Sequence, residues 1–180
     1  VSQQLTQDYT AFLNGQCKIT DVVKRPFELL QYSVANFLEQ LNLPLAKGVE
    51  IQVDSTIPLG CGMGSSAAAV VSTIYALTNI FNLNWQTADY LRFGKEIESL
   101  QHGKSSGLDL HLVTHGGCVR FQNGMAQTRQ WPNLPMYIIN TGQPQSTTGE
   151  CVAQVASKFA KDKNLALAFG LVTEQIDQAL

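Results

Sequence analysis

The chain has 180 residues and a mass of 19.7 kDa, enough for one domain or for parts of two small ones. A hydrophobic fraction of 44% allows a real core, while a net charge of −2 excludes the basic footprint of a nucleic-acid or anionic-membrane binder. Cys17, Cys61, Cys118 and Cys151 are scattered without a C-x-x-C pair, which suits a reducing cytoplasm rather than a disulfide framework, and no apolar run is long enough to span a bilayer.

Residues 1–25 are mixed, and Leu5, Tyr9, Phe12 and Leu13 fit an amphipathic turn or two. From Pro26, a residue favoured at a first helical position, apolar residues recur at Phe27, Leu30, Val34, Phe37, Leu38 and Leu41. Those spacings predict one face of a helix running to about Leu41, which Pro44 then breaks. Gly48-Val49-Glu50-Ile51-Gln52-Val53-Asp54-Ser55 alternates apolar with polar residues, the period of a half-buried strand. A glycine loop follows, and then a helix from about Ser65 to Phe81. Ala67, Ala68, Ala69, Val70 and Val71 make that helix small or branched on nearly every side, which predicts a buried helix lying close against a sheet.

Asn84-Trp85-Gln86-Thr87 opens another helix, lined by Leu91, Phe93, Ile97 and Leu100 and stopping near His102-Gly103. A turn over Ser105–Asp109 leads into a short helix to about His115, ended by Gly116-Gly117. Cys118–Phe121 reads as a strand, and Asn123-Gly124 as a hairpin turn returning to Trp131. Asn133-Leu134-Pro135 reads as a boundary, followed by an apolar strand over Met136–Thr141 and helices over about 148–161 and 164–180. The expected class is α+β, with domains at 1–133 and 134–180, the second incomplete. Val1 is not a methionine and Leu180 falls inside a helical pattern, so both ends are expected to be cut.

The loop Pro58-Leu59-Gly60-Cys61-Gly62-Met63-Gly64-Ser65-Ser66 has the make-up of a phosphate site. Glycine lets an anion approach the backbone, and the following helix aims its unpaired N–H groups and positive dipole end back at the loop. No lysine follows Gly64, so the G-x-x-x-x-G-K-[S/T] loop is excluded, and G-x-G-x-x-G is missed by one place. Neutralising a phosphate here falls to the helix end and a metal ion. Glycine pairs alone would read as a tight turn.

A second constellation holds Glu98, His102, Ser105-Ser106-Gly107 and Asp109. Nucleotide-bound Mg2+ takes one or two carboxylates, and an acceptor hydroxyl wants a carboxylate to orient it or take its proton. Glu98 and Asp109 could fill those two roles. Taken singly, Glu98 also reads as a solvated face residue and Asp109 as part of a helix cap.

Together the two stretches resemble the GHMP kinases, most of all the mevalonate kinase branch. The family's P-x-x-x-G-L-G-S-S-A stands here as Pro58-Leu59-Gly60-Cys61-Gly62-Met63-Gly64-Ser65-Ser66-Ala67. Its E-x-x-x-H-G-x-P-S-G-x-D stands as Glu98 through Asp109, with Ser105 in place of the usual proline and Gly116-Gly117 beyond. The resemblance covers roughly Val49–Thr147 well and the helical tail loosely. The family's lysine-bearing first motif has no match in Val1–Lys24, and its C-terminal glycine-rich loop has none either. Both are expected to lie outside this stretch.

The resemblance implies a ribosomal-protein-like α/β N-terminal domain followed by part of a ferredoxin-like C-terminal domain. It implies ATP and Mg2+ as cofactors, with Gly60, Cys61, Gly62, Met63, Gly64, Ser65 and Ser66 around the phosphates and Ser55 at a nucleotide-contacting position. Ser66 and Glu98 would ligate the metal, Asp109 would be the catalytic base, and Thr141 would lie on the acceptor side. The implied activity is phosphorylation of a hydroxyl on mevalonate or a related acid, by a cytoplasmic monomer or homodimer. Phosphomevalonate kinase, sugar kinase, a decarboxylase of the same superfamily and a non-catalytic nucleotide-binding relic are the alternatives.

Overall fold

The structure is a computed structural model that describes residues 2–45, 48–133, 135, 137–139, 142 and 146–179. The chain divides into two compact units, Val1–Gly116 and Gly117–Leu180.

The first unit is helical. Helices α1 (Ser2–Leu13), α2 (Pro26–Gln40), α3 (Ser65–Ile80), α4 (Thr87–His102) and α5 (Leu108–His115) carry it, with a short 3-10 turn at Ile19–Asp21. Pro26 occupies the first turn of α2, where a missing N–H costs nothing. The Glu28 carboxylate accepts the N–H groups of Lys24 at 2.9 Å and Arg25 at 3.2 Å, closing the entry to that helix. Asp89 does the same for α4, accepting the Gln86 N–H at 2.9 Å.

α3 lies among α2, α4 and α5. Its Val70, Ile74 and Leu77 join Leu29, Val34, Phe37, Phe93, Ile97 and Leu100 in one core. Phe37 is fully buried, with ring centroids of Trp85 at 5.3 Å and Phe93 at 5.8 Å. Burying a side chain of this size contributes about 2–3 kcal/mol. The phenol of Tyr9 on α1 donates to the Gly103 carbonyl at 2.8 Å, tying α1 to the end of α4.

The second unit opens with an antiparallel hairpin, β1 (Cys118–Gln122) and β2 (Met125–Arg129), in register from Cys118↔Arg129 to Gln122↔Met125. Asn123 (φ 52°) and Gly124 (φ 77°) form the two-residue turn, both left-handed as this turn type requires. Helices α6 (Thr148–Lys161) and α7 (Lys163–Ala179) follow. Thr147 and Glu150 cap α6 reciprocally, at 3.2 Å to the Thr147 hydroxyl and 2.8 Å to the Glu150 carboxylate. Asp177 of α7 pairs with Arg120 at 2.8 Å and Arg129 at 3.3 Å. No described helix is long and apolar enough to cross a membrane.

Four expectations change. Residues 48–55 form no strand, and Val49 and Val53 are each about half exposed. Alternation is a local pattern, whereas a strand needs a partner for its ladder, and β1 and β2 are the only strands among the described residues. Residues 137–139 likewise form no strand, while Met136, Asn140 and Thr141 lie outside the described residues. α3 is buried on one side only, because helices rather than a sheet pack against it and leave Tyr75 and Ile80 exposed. α1 is a full helix of 12 residues rather than a turn or two, since Leu5 is buried and Tyr9 and Phe12 pack on the core.

Candidate active site

The loop between residues 57 and 66 takes its shape from glycine. Gly60, Gly62 and Gly64 have φ of 72°, 69° and 66°, the left-handed region that residues with a Cβ avoid. Left-handed residues alternating with others turn backbone N–H groups toward a shared concavity suited to anions. Gly64 is the N-cap of α3, and its carbonyl accepts the Ala68 N–H at 2.9 Å. No side chain caps this helix end, so the first N–H groups of α3 remain directed at the loop.

Glu98, in the last turns of α4, is 3% exposed. Its Oε2 accepts the Ser105 hydroxyl at 2.8 Å, and the Ser66 hydroxyl makes a further, weaker hydrogen-bonding interaction with its carboxylate. Burial pushes the Glu98 carboxyl up, the two hydroxyls oppose that shift, and the negative charge of Asp109 adds to it. Asp109 stands in the first turn of α5. Its Cβ and Cγ would lie 3.9 Å from a Cβ built on Gly64, so this carboxylate lies against the glycine loop. His102 is pushed down by burial, against the pull of Asp109, which favours the neutral imidazole.

The helices place these groups through one close approach. Gly94 on α4 faces Leu110 on α5, and a Cβ at position 94 would come within 2.8 Å of Leu110 Cδ2. α5 therefore closes on α4 because residue 94 has no side chain. That approach sets the distance between the Asp109 and Glu98 turns.

A hydroxyl and one carboxylate beside an anion loop are hard oxygen donors, the set that suits Mg2+ sharing its coordination with phosphate and water. Among the described residues, no three or more of His, Cys, Asp and Glu gather as a self-sufficient metal cage. The fit is to a cation completed by its nucleotide.

Of the residues expected at the site, Ser66, Glu98, Asp109 and the glycine loop lie together. Met63 on the loop is exposed, and the Cys61 thiol donates to the Leu59 carbonyl at 3.6 Å. Ser55 precedes the loop, its hydroxyl accepting the Ile57 N–H at 3.2 Å. Thr141 lies outside the described residues. Two contributors were not foreseen: Ser105 as a partner of Glu98, and Gly94 as the spacer. Ser105 had a signal, the hydroxyl in place of proline beside a carboxylate-bearing turn. Gly94 had none, because its partner is known only once α4 and α5 are packed.

Comparison with known proteins gives a consistent result. The family model for the GHMP kinases N terminal domain matches residues 28–117, half of the chain. The chain is 36% identical over 113 residues to a mevalonate kinase of Thermococcus sibiricus, covering 63% of this chain and 34% of that protein. It is 36% identical over 126 residues to a mevalonate kinase of Archaeoglobus fulgidus, covering 69% and 41%. With a mevalonate kinase of Pyrococcus furiosus it shares 31% identity over 147 residues, covering 76% and 44%. The matches thus span between a third and a half of each relative's length. No solved structure matches the chain.

Proposed function

The chain belongs to the GHMP kinase family, and from that premise we propose that it acts as an ATP-dependent kinase, passing the γ-phosphoryl group to a hydroxyl of mevalonate or a related acid. The observation that carries this reading is the meeting of Ser66 and Glu98 beside the glycine loop, with the Asp109 carboxylate against Gly64. The names of the relatives supply the acceptor class. We assign residues 1–133 to a nucleotide-binding domain and 134–180 to the start of a second, ferredoxin-like one.

In this reading the loop and the first turn of α3 hold the phosphates through backbone N–H groups and the Ser65 and Ser66 hydroxyls. Ser66 and Glu98 would hold Mg2+, which supplies charge neutralisation on the transferring phosphoryl group when bound. Asp109 accepts the proton of the acceptor hydroxyl or orients it, a role that its place beside the glycine loop supports. Such catalysis is mostly positioning and charge stabilisation. Ser55 would contact the nucleotide.

The test is Asp109→Asn in the intact protein, assayed by ADP release over a panel of mevalonate, phosphomevalonate and sugars. Turnover should fall by about 10²–10⁴-fold while ATP binding survives. Near-normal turnover would remove Asp109 from the chemistry. Release of CO2 from a diphosphorylated acid would assign the decarboxylase branch instead.

A further inference from the structure

We propose that Ser105 is a positioning residue for phosphoryl transfer, its hydroxyl holding the Glu98 carboxylate in the orientation that receives the cation. This deepens the kinase reading and rests on it. Ser105 is 6% exposed, and its Oγ lies 2.8 Å from Glu98 Oε2. The same Oγ accepts the Gly107 N–H at 3.2 Å, so its own proton is left to point at the carboxylate. Its backbone N–H donates to the Ser99 hydroxyl at 3.2 Å, and Ser99 in turn donates to the Lys95 carbonyl at 2.7 Å. The turn after α4 is thereby fastened to α4 at Glu98 and at Ser99.

A buried carboxylate with little solvent around it takes its orientation from its donors. Glu98 has two, and the Ser66 hydroxyl is the one whose oxygen is also assigned to the cation. The Ser105 hydroxyl is not among the cation's ligands. It remains to hold Glu98 when Ser66 turns to its ligand, the part that outer-shell hydrogen bonds commonly play at metal sites. A proline at position 105 would offer neither the hydroxyl nor the N–H. The device therefore belongs to this sequence rather than to the pattern it resembles.

The experiment measures Mn2+ binding to the intact protein saturated with ATP in the absence of acceptor, followed by electron paramagnetic resonance. Ser105→Ala should weaken Mn2+ binding by roughly 10–100-fold, and Ser105→Thr should restore most of it. ATP affinity measured in chelator should be unchanged in both. Ser105→Cys, nearly isosteric but a weaker donor, should fall between, and it serves if the alanine variant fails to fold. Wild-type Mn2+ affinity in the alanine and cysteine variants, with weak binding in Glu98→Gln, would overturn the role of Ser105 alone. Undiminished Mn2+ binding in Glu98→Gln and Ser66→Ala would overturn the metal site, and this inference with it.

Discussion

The two units are held by different kinds of force. In Val1–Gly116, Phe37, Val70, Ile74, Ile97 and Leu110 are wholly buried, and side chains from four helices share one core. In Gly117–Leu180, among the described residues, no large hydrophobic residue reaches that depth. Val152, Val155, Leu167 and Phe169 of α6 and α7 are each about half exposed or more. That unit relies on signals close in sequence, a two-residue turn and a reciprocal helix cap, and on the long-range pairing of Asp177 with Arg120 and Arg129. The candidate site stands entirely on the packed unit. Holding three side chains in fixed relation needs rotamers locked by neighbours, which local signals cannot supply.

The strongest way to break this comparison is to remove one phenyl ring from each unit. Phe37→Ala should cost about 3–5 kcal/mol, whereas Phe169→Ala should stay within about 1 kcal/mol. Urea unfolding measures both. Trp85, packed on Phe37, reports the first unit, and Trp131, 67% exposed, reports the second. Equal losses would mean that the second unit has a core of its own.

A sharper probe sits where packing and site meet. Gly94→Ala forces a methyl toward Leu110 and should cost about 1–3 kcal/mol. It should also lower kcat, because it parts the turns of Asp109 and Glu98 without altering any group that reacts. Stability lost with kcat intact would separate the spacing from the chemistry.

Glu98→Gln should invert that pattern. Burial raises the Glu98 carboxyl, so the folded chain holds this proton more tightly than the unfolded one does. Stability is then lost as pH rises from the ordinary glutamate value through the folded-state value. The uncharged variant should lose that slope and melt no lower than the parent at pH 7, by calorimetry, while losing cation binding. A lower melting point would show that the charge stabilises the fold.

The smallest effect concerns Glu28, held below the usual glutamate value by the Lys24 backbone N–H first and by Arg25 after. Its contribution is present above the ordinary value and lost as pH falls through the folded-state value. Glu28→Gln should flatten that acid limb by at most about 1 kcal/mol.

Much of this was readable in the chain. Pro26, Thr87 and Gly103 mark helix ends because caps are decided by neighbours in sequence, and Asn123-Gly124 fixes its turn for the same reason. The Glu98 and Asp109 stretch was legible through its resemblance to a known pattern, joined to a loop whose chemistry asked for a metal. The strand expected at 48–55 was not, since its ladder depends on residues far away. The full length of α1 is not legible locally, because its apolar residues gain meaning only against the core that they meet. Ser105 stands out in the sequence as a departure, but its hydrogen bond to Glu98 depends on where the turn after α4 lies.

The left-handed loop has a consequence for chirality itself. A Cβ built on Gly62 meets nothing within 4 Å, yet its φ of 69° excludes ordinary side chains. What is forbidden there is a hand, not a volume. A D-alanine introduced at position 62 by chemical ligation has its own preferred backbone geometry in that region, so the mirror-image residue should be accepted where L-alanine is refused.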